Sequence, residues 1–249
     1  MSVWPGGYGR RVLASVDSTL SEAARLAPGL AGPEWILATH QTSGRGRRGR
    51  AWAMPEGNFA ATLVLKPAEA PGVAALRTFV MSLALFHSFV AVTGRADLFS
   101  LKWPNDVLLR GGKVAGILLE SAGQGGSLSH LAIGVGINLV AAPDMTQVEP
   151  GAVRPVSLSS ETGVRVTPEV FLDVLAAEYA RLEDQFVTFG FVPIRQGWMA
   201  QAARLGEVIT ARTARAEQTG RFEDVDGDGN LILRGSDGCI TIAAADIFF

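Results

Sequence analysis

Hydrophobic positions along the chain recur with two periods, and the changes between them divide the sequence into elements. Residues 11–16 (RVLASV) read as a short strand. Residues 17–27 (DSTLSEAARLA) predict a helix, with Asp17 or Ser18 as N-cap and Glu22 in its first turn. Residues 33–41 (PEWILATHQ) and 58–67 (NFAATLVLKP) read as strands, the second stopped by Pro67. The longest apolar stretch, 73–92, is broken by Arg77, Thr78, Ser82, His87 and Ser88. A bilayer span needs about 20 nearly uninterrupted apolar residues, so this stretch predicts a buried helix and no membrane partner. Residues 98–109 and 114–121 predict strands, with the pair Gly111–Gly112 as a hairpin turn. Residues 131–140 (LAIGVGINLV) read as a strand whose glycines, Gly134 and Gly136, mark something packed close against the backbone. A Pro/Ser/Thr-rich loop spans 143–167. Phe171, Leu175, Tyr179, Leu182 and Phe186 then repeat at helical spacing over 168–190. From residue 205 the texture changes to short strands at 207–214, 218–226, 229–235 and 238–249, joined by Asp/Gly turns. This reading divides the chain into residues 1–200 and a small all-β module at 205–249, near the size where a core alone is marginal.

Composition narrows the function classes. The chain has 249 residues, 48% hydrophobic and 18% charged, with a formal net charge of −2. A protein that coats nucleic acid is usually basic overall or on one face. Here the basic density is concentrated in residues 42–50 (TSGRGRRGR), where Arg45, Arg47, Arg48 and Arg50 alternate with Gly44, Gly46 and Gly49. That points to a small anion. One cysteine, Cys239, excludes an internal disulfide framework and fits a reducing, cytoplasmic compartment. No basic flank precedes a continuous apolar run at the start, so no signal peptide is expected.

Four stretches carry candidate chemistry. In 42–50, glycines permit close backbone approach and arginines fork onto phosphate or carboxylate oxygens. The stretch lies between two predicted strands, and no Gly-Lys-Ser/Thr follows, so it is neither a free tail nor a Walker loop. By itself it reads equally well as a solvated basic turn. Residues 102–106 (KWPND) bring Lys102, Asn105 and Asp106 to a strand end, where Asp106 could hold Mg²⁺ or orient a lysine, and where an Asn-Asp turn is the plainer reading. Lys113, beside Ala115 and Gly116, could serve a transferring phosphate as a point charge or be ordinary surface. Asn138 closes a glycine-spaced strand with an amide that both donates and accepts, suited to a nucleobase edge or a turn.

Taken in order, Gly44–Arg50, Lys102–Asp106, Lys113–Ile117 and Ile133–Asn138 resemble the signatures of the bacterial biotin–protein ligases: GRGRRGR, KWPND, K-x-A-G-I and IG-x-G-I-N. The resemblance covers residues 12–249. It implies an α/β (α+β) fold: a mixed β-sheet with helices packed on one face, as in biotin/lipoate ligase catalytic domains, followed by a small SH3-like β-barrel. It also implies an ATP-dependent ligase. Such an enzyme activates biotin to biotinyl-5′-AMP and passes it to one lysine of a biotin carboxyl carrier protein, a subunit of acetyl-CoA carboxylase, or of another biotin-dependent carboxylase domain. The implied substrates and ions are ATP, biotin and Mg²⁺. Arg47, Lys113 and Asp106 would carry the chemistry, with Asp106 also the candidate Mg²⁺ ligand. Ser18, Thr19, Gln41, Gly44, Arg45, Asn105, Gly116, Gly134 and Asn138 would bind substrates, and Trp52 would stack on adenine. Arg45 and Arg47 are expected to face the ligand, and Arg48 and Arg50 to anchor the loop or face solvent.

The chain departs from the family pattern at Leu20, where Ser-Thr-Asn is usual. The ligase pattern begins within the first dozen residues, so the resemblance is to the monofunctional type without an N-terminal DNA-binding domain, and no DNA partner is expected. A monomer and a homodimer are both compatible with it. Two rivals share parts of the pattern: a lipoate or octanoyl ligase of the same fold, and a silent protein that binds biotin or a carrier. Asp224, Asp226, Asp228 and Gly229 mimic the start of a calcium loop, but Gly235 stands where its bidentate Glu is needed, so a hairpin turn is expected. His40, His87 and His130 show no metal-ligand spacing, and no Gly-x-Ser-x-Gly nucleophile is present.

Overall fold

The computed structural model describes residues 3–148, 151–213, 216–236 and 238–248. The outer limits predicted for the two units, residues 1 and 249, lie outside them, as do 149–150 of the predicted loop and 214 of a predicted strand. Seven strands build the first sheet: β1 (Gly9–Leu13), β2 (Glu34–Ala38), β3 (Phe59–Leu65), β4 (Phe99–Lys102), β5 (Asp106–Leu109), β6 (Gly112–Gln124) and β7 (Ser127–Ile137). Their order is β1-β2-β3-β7-β6-β5-β4. Only β1 and β2 run parallel, and every other neighbour is antiparallel. The sheet is therefore mixed, as expected.

The helix α1 (Thr19–Leu26) supplies the crossover between the parallel pair, as parallel strands require. It begins at Ser18, whose extended backbone turns its hydroxyl onto the Leu20 N–H. Its buried face meets Ile36, Val64 and Ala132. The other face of the sheet carries the main core and the longer helices α3 (Arg77–Thr93), α5 (Pro168–Phe189) and α6 (Phe191–Met199), preceded by short α2 (Pro71–Ala75) and α4 (Leu158–Thr162). Residues 71–93 are long and apolar enough to cross a bilayer, yet α3 lies against β4, β5 and β6 with Phe79, Leu85 and Phe89 buried. Trp35 of β2 meets Tyr179 of α5 edge to face at 6.0 Å.

Several local expectations change. The single strand predicted at 98–109 is two, β4 and β5, which pair antiparallel across the turn at residues 103–105, and α4 forms within the loop predicted at 143–167. The turn between β5 and β6 uses Arg110 (φ 49°) and Gly111 (φ 78°), not Gly111–Gly112. Gly112 is instead the first residue of β6, and glycine is needed there because a Cβ would fall 2.4 Å from Val156 Cγ1. The single strand predicted at 238–249 is two, β11 (Gly238–Ile242) and β12 (Asp246–Phe248). They occupy opposite edges of a five-stranded sheet ordered β11-β10-β9-β8-β12, with β8 (Val208–Arg212), β9 (Glu217–Val225) and β10 (Leu231–Gly235) between them. Helix α6 occupies a stretch for which the sequence gives no element, and it contains two residues of poor helix propensity, Pro193 and Gly197. Pro193 sits in the first turn, where no intrahelical N–H is needed. A Cβ on Gly197 would come 2.9 Å from Leu83 Cδ2, so glycine lets α6 approach α3. The Asp226 loop is a hairpin turn closed by its own carboxylate, which accepts from the Asp228 and Asn230 N–H groups.

One buried ion pair joins α3 to α5. Arg77, 3% exposed, contacts Glu183 at 2.7 Å and Glu69 at 2.9 Å, and Tyr179 donates to Glu183 at 2.9 Å. Removing the cation would leave Glu183 in the core without its counter-charge. Arg77→Ala is therefore expected to destabilise the fold by about 3–5 kcal/mol in urea titration. A loss below about 1 kcal/mol would show the pair to be screened like a surface bridge.

Candidate functional site

A cavity of about 790 Å³ opens where the arginine-rich loop, the ends of β4–β7 and strand β12 meet. Every residue singled out above as catalytic or substrate-binding lines it, from Ser18 to Asn138. Three groups of contacts order its walls.

The first wall is α1 and the loop after β2. The Thr19 N–H and hydroxyl both reach Gln41 Oε1, at 2.8 and 3.2 Å, and Thr62 Oγ1 donates to Thr19 Oγ1 at 2.8 Å. Gln41 is thus oriented from behind, through a buried threonine on β3 that no motif flagged. Ser18 is 2% exposed and works as the helix cap. Leu20 fills the space over Gly134, where a Cβ would sit 2.8 Å from Leu20 Cδ1. The departure from Ser-Thr-Asn therefore puts a hydrocarbon contact where the family has an amide.

The second wall is built on strand glycines. The Trp52 indole lies against β6 and β7. A Cβ on Gly136 would approach Trp52 Cε2 to 2.4 Å, and one on Gly116 would approach Cζ3 to 3.3 Å. Lys113 Nζ stands 5.7 Å from the centroid of the same ring, in cation–π range. Trp52 Nε1 and Asn138 Oδ1 are both buried without a hydrogen-bonding partner among the described residues. Asn138 Nδ2 donates to Val156 O at 3.1 Å, which aims the amide and leaves its oxygen as a spare acceptor. Asn105 Nδ2 donates to Ile117 O, so its side chain ties the turn between β4 and β5 to β6.

The third region is charged. Asp106 starts β5, with Lys113 Nζ 2.7 Å from Oδ1 and Lys102 Nζ 3.8 Å from Oδ2. Burial works against the Asp106 charge, but Lys113, Lys102 and Arg47 outweigh it and hold the carboxyl below the usual carboxylate range. Lys102 is 8% exposed, and burial pushes its ammonium down against the pull of Asp106. Lys102 was noted in its motif without a site role, yet it too lines the cavity. A resident Mg²⁺ fits this donor set poorly. Asp106 is flanked by two ammonium groups, and no cluster of three or more acidic, His or Cys side chains occurs among the described residues. Mg²⁺ takes about six oxygens, so an ion here would have to bring ligands of its own.

The four arginines divide. Arg45 grips Glu120 through two bonds of 2.8 and 2.7 Å and reaches Ser21 Oγ at 2.8 Å, which sets its guanidinium on carboxylate and hydroxyl oxygens of the protein. Arg47 donates to Ala245 O at 3.1 Å, and burial lowers its pKa against the attraction of Asp246 and Asp106. Arg48 and Arg50 both end on Asp246 Oδ2, at 2.7 and 2.9 Å. Glu120 and Asp246 carried no sequence signal: each is a lone acid in a strand, and only the fold brings it to an arginine.

The pattern of the biotin/lipoate A/B protein ligase family matches residues 10–138, and that of the biotin protein ligase C-terminal domain matches residues 205–249. A biotin–[acetyl-CoA-carboxylase] ligase of Paracoccus denitrificans is 56% identical over 238 residues, 96% of this chain and 99% of the relative. The bifunctional ligase/repressor BirA of Bacillus spizizenii is 30% identical over 93% of this chain and 71% of its own length. The solved biotin protein ligase of Aquifex aeolicus, in complex with biotin and ATP, superposes with a TM-score of 0.81 at 24% identity, covering 96% of this chain and 97% of that one.

Proposed function

From a chain that belongs to the biotin/lipoate A/B protein ligase family, we propose an ATP-dependent biotin–protein ligase that biotinylates one lysine of a biotin carboxyl carrier protein. The observation that carries this reading is the convergence of Lys113, Lys102 and Arg47 around one buried carboxylate, Asp106, beside an indole laid on strand glycines. A cationic end suits phosphates. A flat wall with one buried donor and one buried acceptor suits a purine.

In the first half-reaction a biotin carboxylate oxygen attacks the α-phosphorus of ATP. The bond from that phosphorus to the bridging oxygen breaks, and pyrophosphate leaves. Two anions must approach, and no enzyme nucleophile takes part, so positioning and charge neutralisation do the work. Lys113 and Arg47 supply the positive field. Asp106 holds the Lys113 ammonium at a fixed point. Gln41, held by Thr19, presents its amide nitrogen to the biotin end. In the second half-reaction the ε-amine of the acceptor lysine attacks the acyl carbon, AMP departs, and the amine loses its proton to solvent. The mixed anhydride is hydrolysable, so the loop of residues 42–50 has to keep water from it.

The test is pyrophosphate exchange into ATP by the purified chain, with biotin and lipoate run side by side. Biotin is expected to support exchange at a rate at least about a hundredfold above lipoate, the discrimination open to a site that hydrogen-bonds one ring system and not the other. Exchange with lipoate alone would assign the chain to the other branch of the family. Biotin binding without exchange would favour a silent binding protein.

A further inference from the structure

Asp246 sits on β12, in the C-terminal sheet, yet its carboxylate collects three arginines of the loop at residues 42–50. Arg48 and Arg50 reach Oδ2 at 2.7 and 2.9 Å, and Arg47 stands 3.5 Å from Oδ1. Its side chain is 15% exposed and lines the cavity beside Ile247 and Phe248. Asp246 is also the register partner of Arg212 on β8. Phe248, two residues on, lies under the Arg212 guanidinium at 4.4 Å. The loop leans on this anchor in a second way. Arg48 is left-handed (φ 56°, ψ 27°) and is followed by Gly49 at φ 73°. A non-glycine residue in that conformation costs about 1–2 kcal/mol, so the loop needs contacts that hold it there. The Asp246 contacts with Arg48 and Arg50 are such contacts, and they are short. The contact with Arg47 is longer than a hydrogen bond, so Arg47 retains capacity for another anion.

We propose that Asp246 is a positioning residue of the active site: it docks the arginine loop through Arg48 and Arg50 before any substrate arrives, and so presents Arg47 to the acyl-phosphate. The C-terminal sheet thereby supplies part of the adenylation site. This rests on the ligase reading above, but the anchoring itself is measurable without activity. Asp246 touches no reacting atom. It shifts the loop between docked and undocked populations, and a substrate phosphate can pull the undocked loop back through Arg47. Loss of the anchor is therefore felt in apparent affinity more than in turnover at saturation.

The experiment compares the full chain with Asp246→Asn and Asp246→Glu. Amide hydrogen exchange over residues 42–52 without ligand reads the docking directly. Asp246→Asn, whose amide oxygen can still accept from one of the two arginines, is expected to speed exchange there by about tenfold, the loss of the other charge-assisted bond, with the main sheet unaffected. In the presence of biotin, the KM for ATP and the release rate of biotinyl-AMP are each expected to rise about tenfold, with kcat within about twofold. Asp246→Glu keeps the carboxylate and should recover at least half of the loop protection. If Asp246→Asn fails to fold, Arg48→Gln/Arg50→Gln removes the other side of the same contacts and carries the same expectation. Unchanged loop protection in the variants, or Asp246→Glu as defective as Asp246→Asn, overturns the proposal. A wild-type chain that exchanges no pyrophosphate but whose loop loosens on Asp246→Asn would sink the ligase reading and leave the anchor standing.

Discussion

Lys113→Ala is expected to lower biotin-dependent pyrophosphate exchange by about a thousandfold, the upper range for removing one preorganised stabilising group. The size follows from where Lys113 sits. Its ammonium is 2.7 Å from Asp106 Oδ1 and within cation–π range of Trp52, so it is held between a carboxylate and a ring and cannot wander. Its loss removes one positive charge from the point where two anions must meet. It also leaves Asp106 facing only Lys102, at 3.8 Å, and Arg47. The carboxylate then becomes a repulsive group in the phosphate end, where before it was neutralised. Lys113→Arg should recover only part of the rate, because a planar fork cannot occupy the point an ammonium holds. Exchange by Lys113→Ala at the wild-type rate, in a folded protein, would remove Lys113 from the chemistry.

The second large effect is expected from the smallest change. Gly136→Ala should raise the KM for ATP by about a hundredfold while costing the fold no more than about 1–2 kcal/mol. A Cβ at this position would lie 2.4 Å from Trp52 Cε2 and 2.5 Å from Nε1, closer than atoms can approach. The β7 backbone is pinned between β3 and β6. The indole, carried on a loop outside the sheet ladder, is what moves, and it moves into the space assigned to the purine. The measurement is paired: exchange kinetics against ATP, and a urea titration. A variant with wild-type KM would show that Trp52 is not the nucleotide's platform.

These two residues illustrate what could be read in advance. Lys113 and Gly136 sit inside motifs whose order carried the family. The run at 98–109 reads as one strand and is two, folded back at the motif itself, whereas the strand of Gly136 followed from periodicity. The mixed sheet and the small β module were legible for the same reason. Other features depend on contacts between residues far apart in sequence, and no local pattern encodes them. Thr62 orients Gln41 through Thr19 across a helix–strand contact. Glu120 meets Arg45 across 75 positions, and Asp246 meets Arg50 across 196. Helix α6 contains Pro193 and Gly197, both of poor helix propensity, and tertiary packing overrides propensity when α3 lies so close. The single strand expected at 238–249 failed on the run of alanines at 243–245, which reads as strand continuation but lets the chain leave one sheet edge for the other.

The pairing of β3 with β7 bears on how the chain reaches this state. Phe59 faces Ile137 and Leu65 faces Leu131, so the centre of the sheet closes only after some seventy intervening residues have been ordered. Until then FAATLVL, buried at every position in the finished sheet, is an apolar, uncharged strand with two open edges. Such a segment pairs readily with copies of itself. Refolding yield should therefore fall steeply with protein concentration, and β3 is the segment to expect at the heart of any aggregate. A charge cannot be placed there as protection, because both of its faces are core.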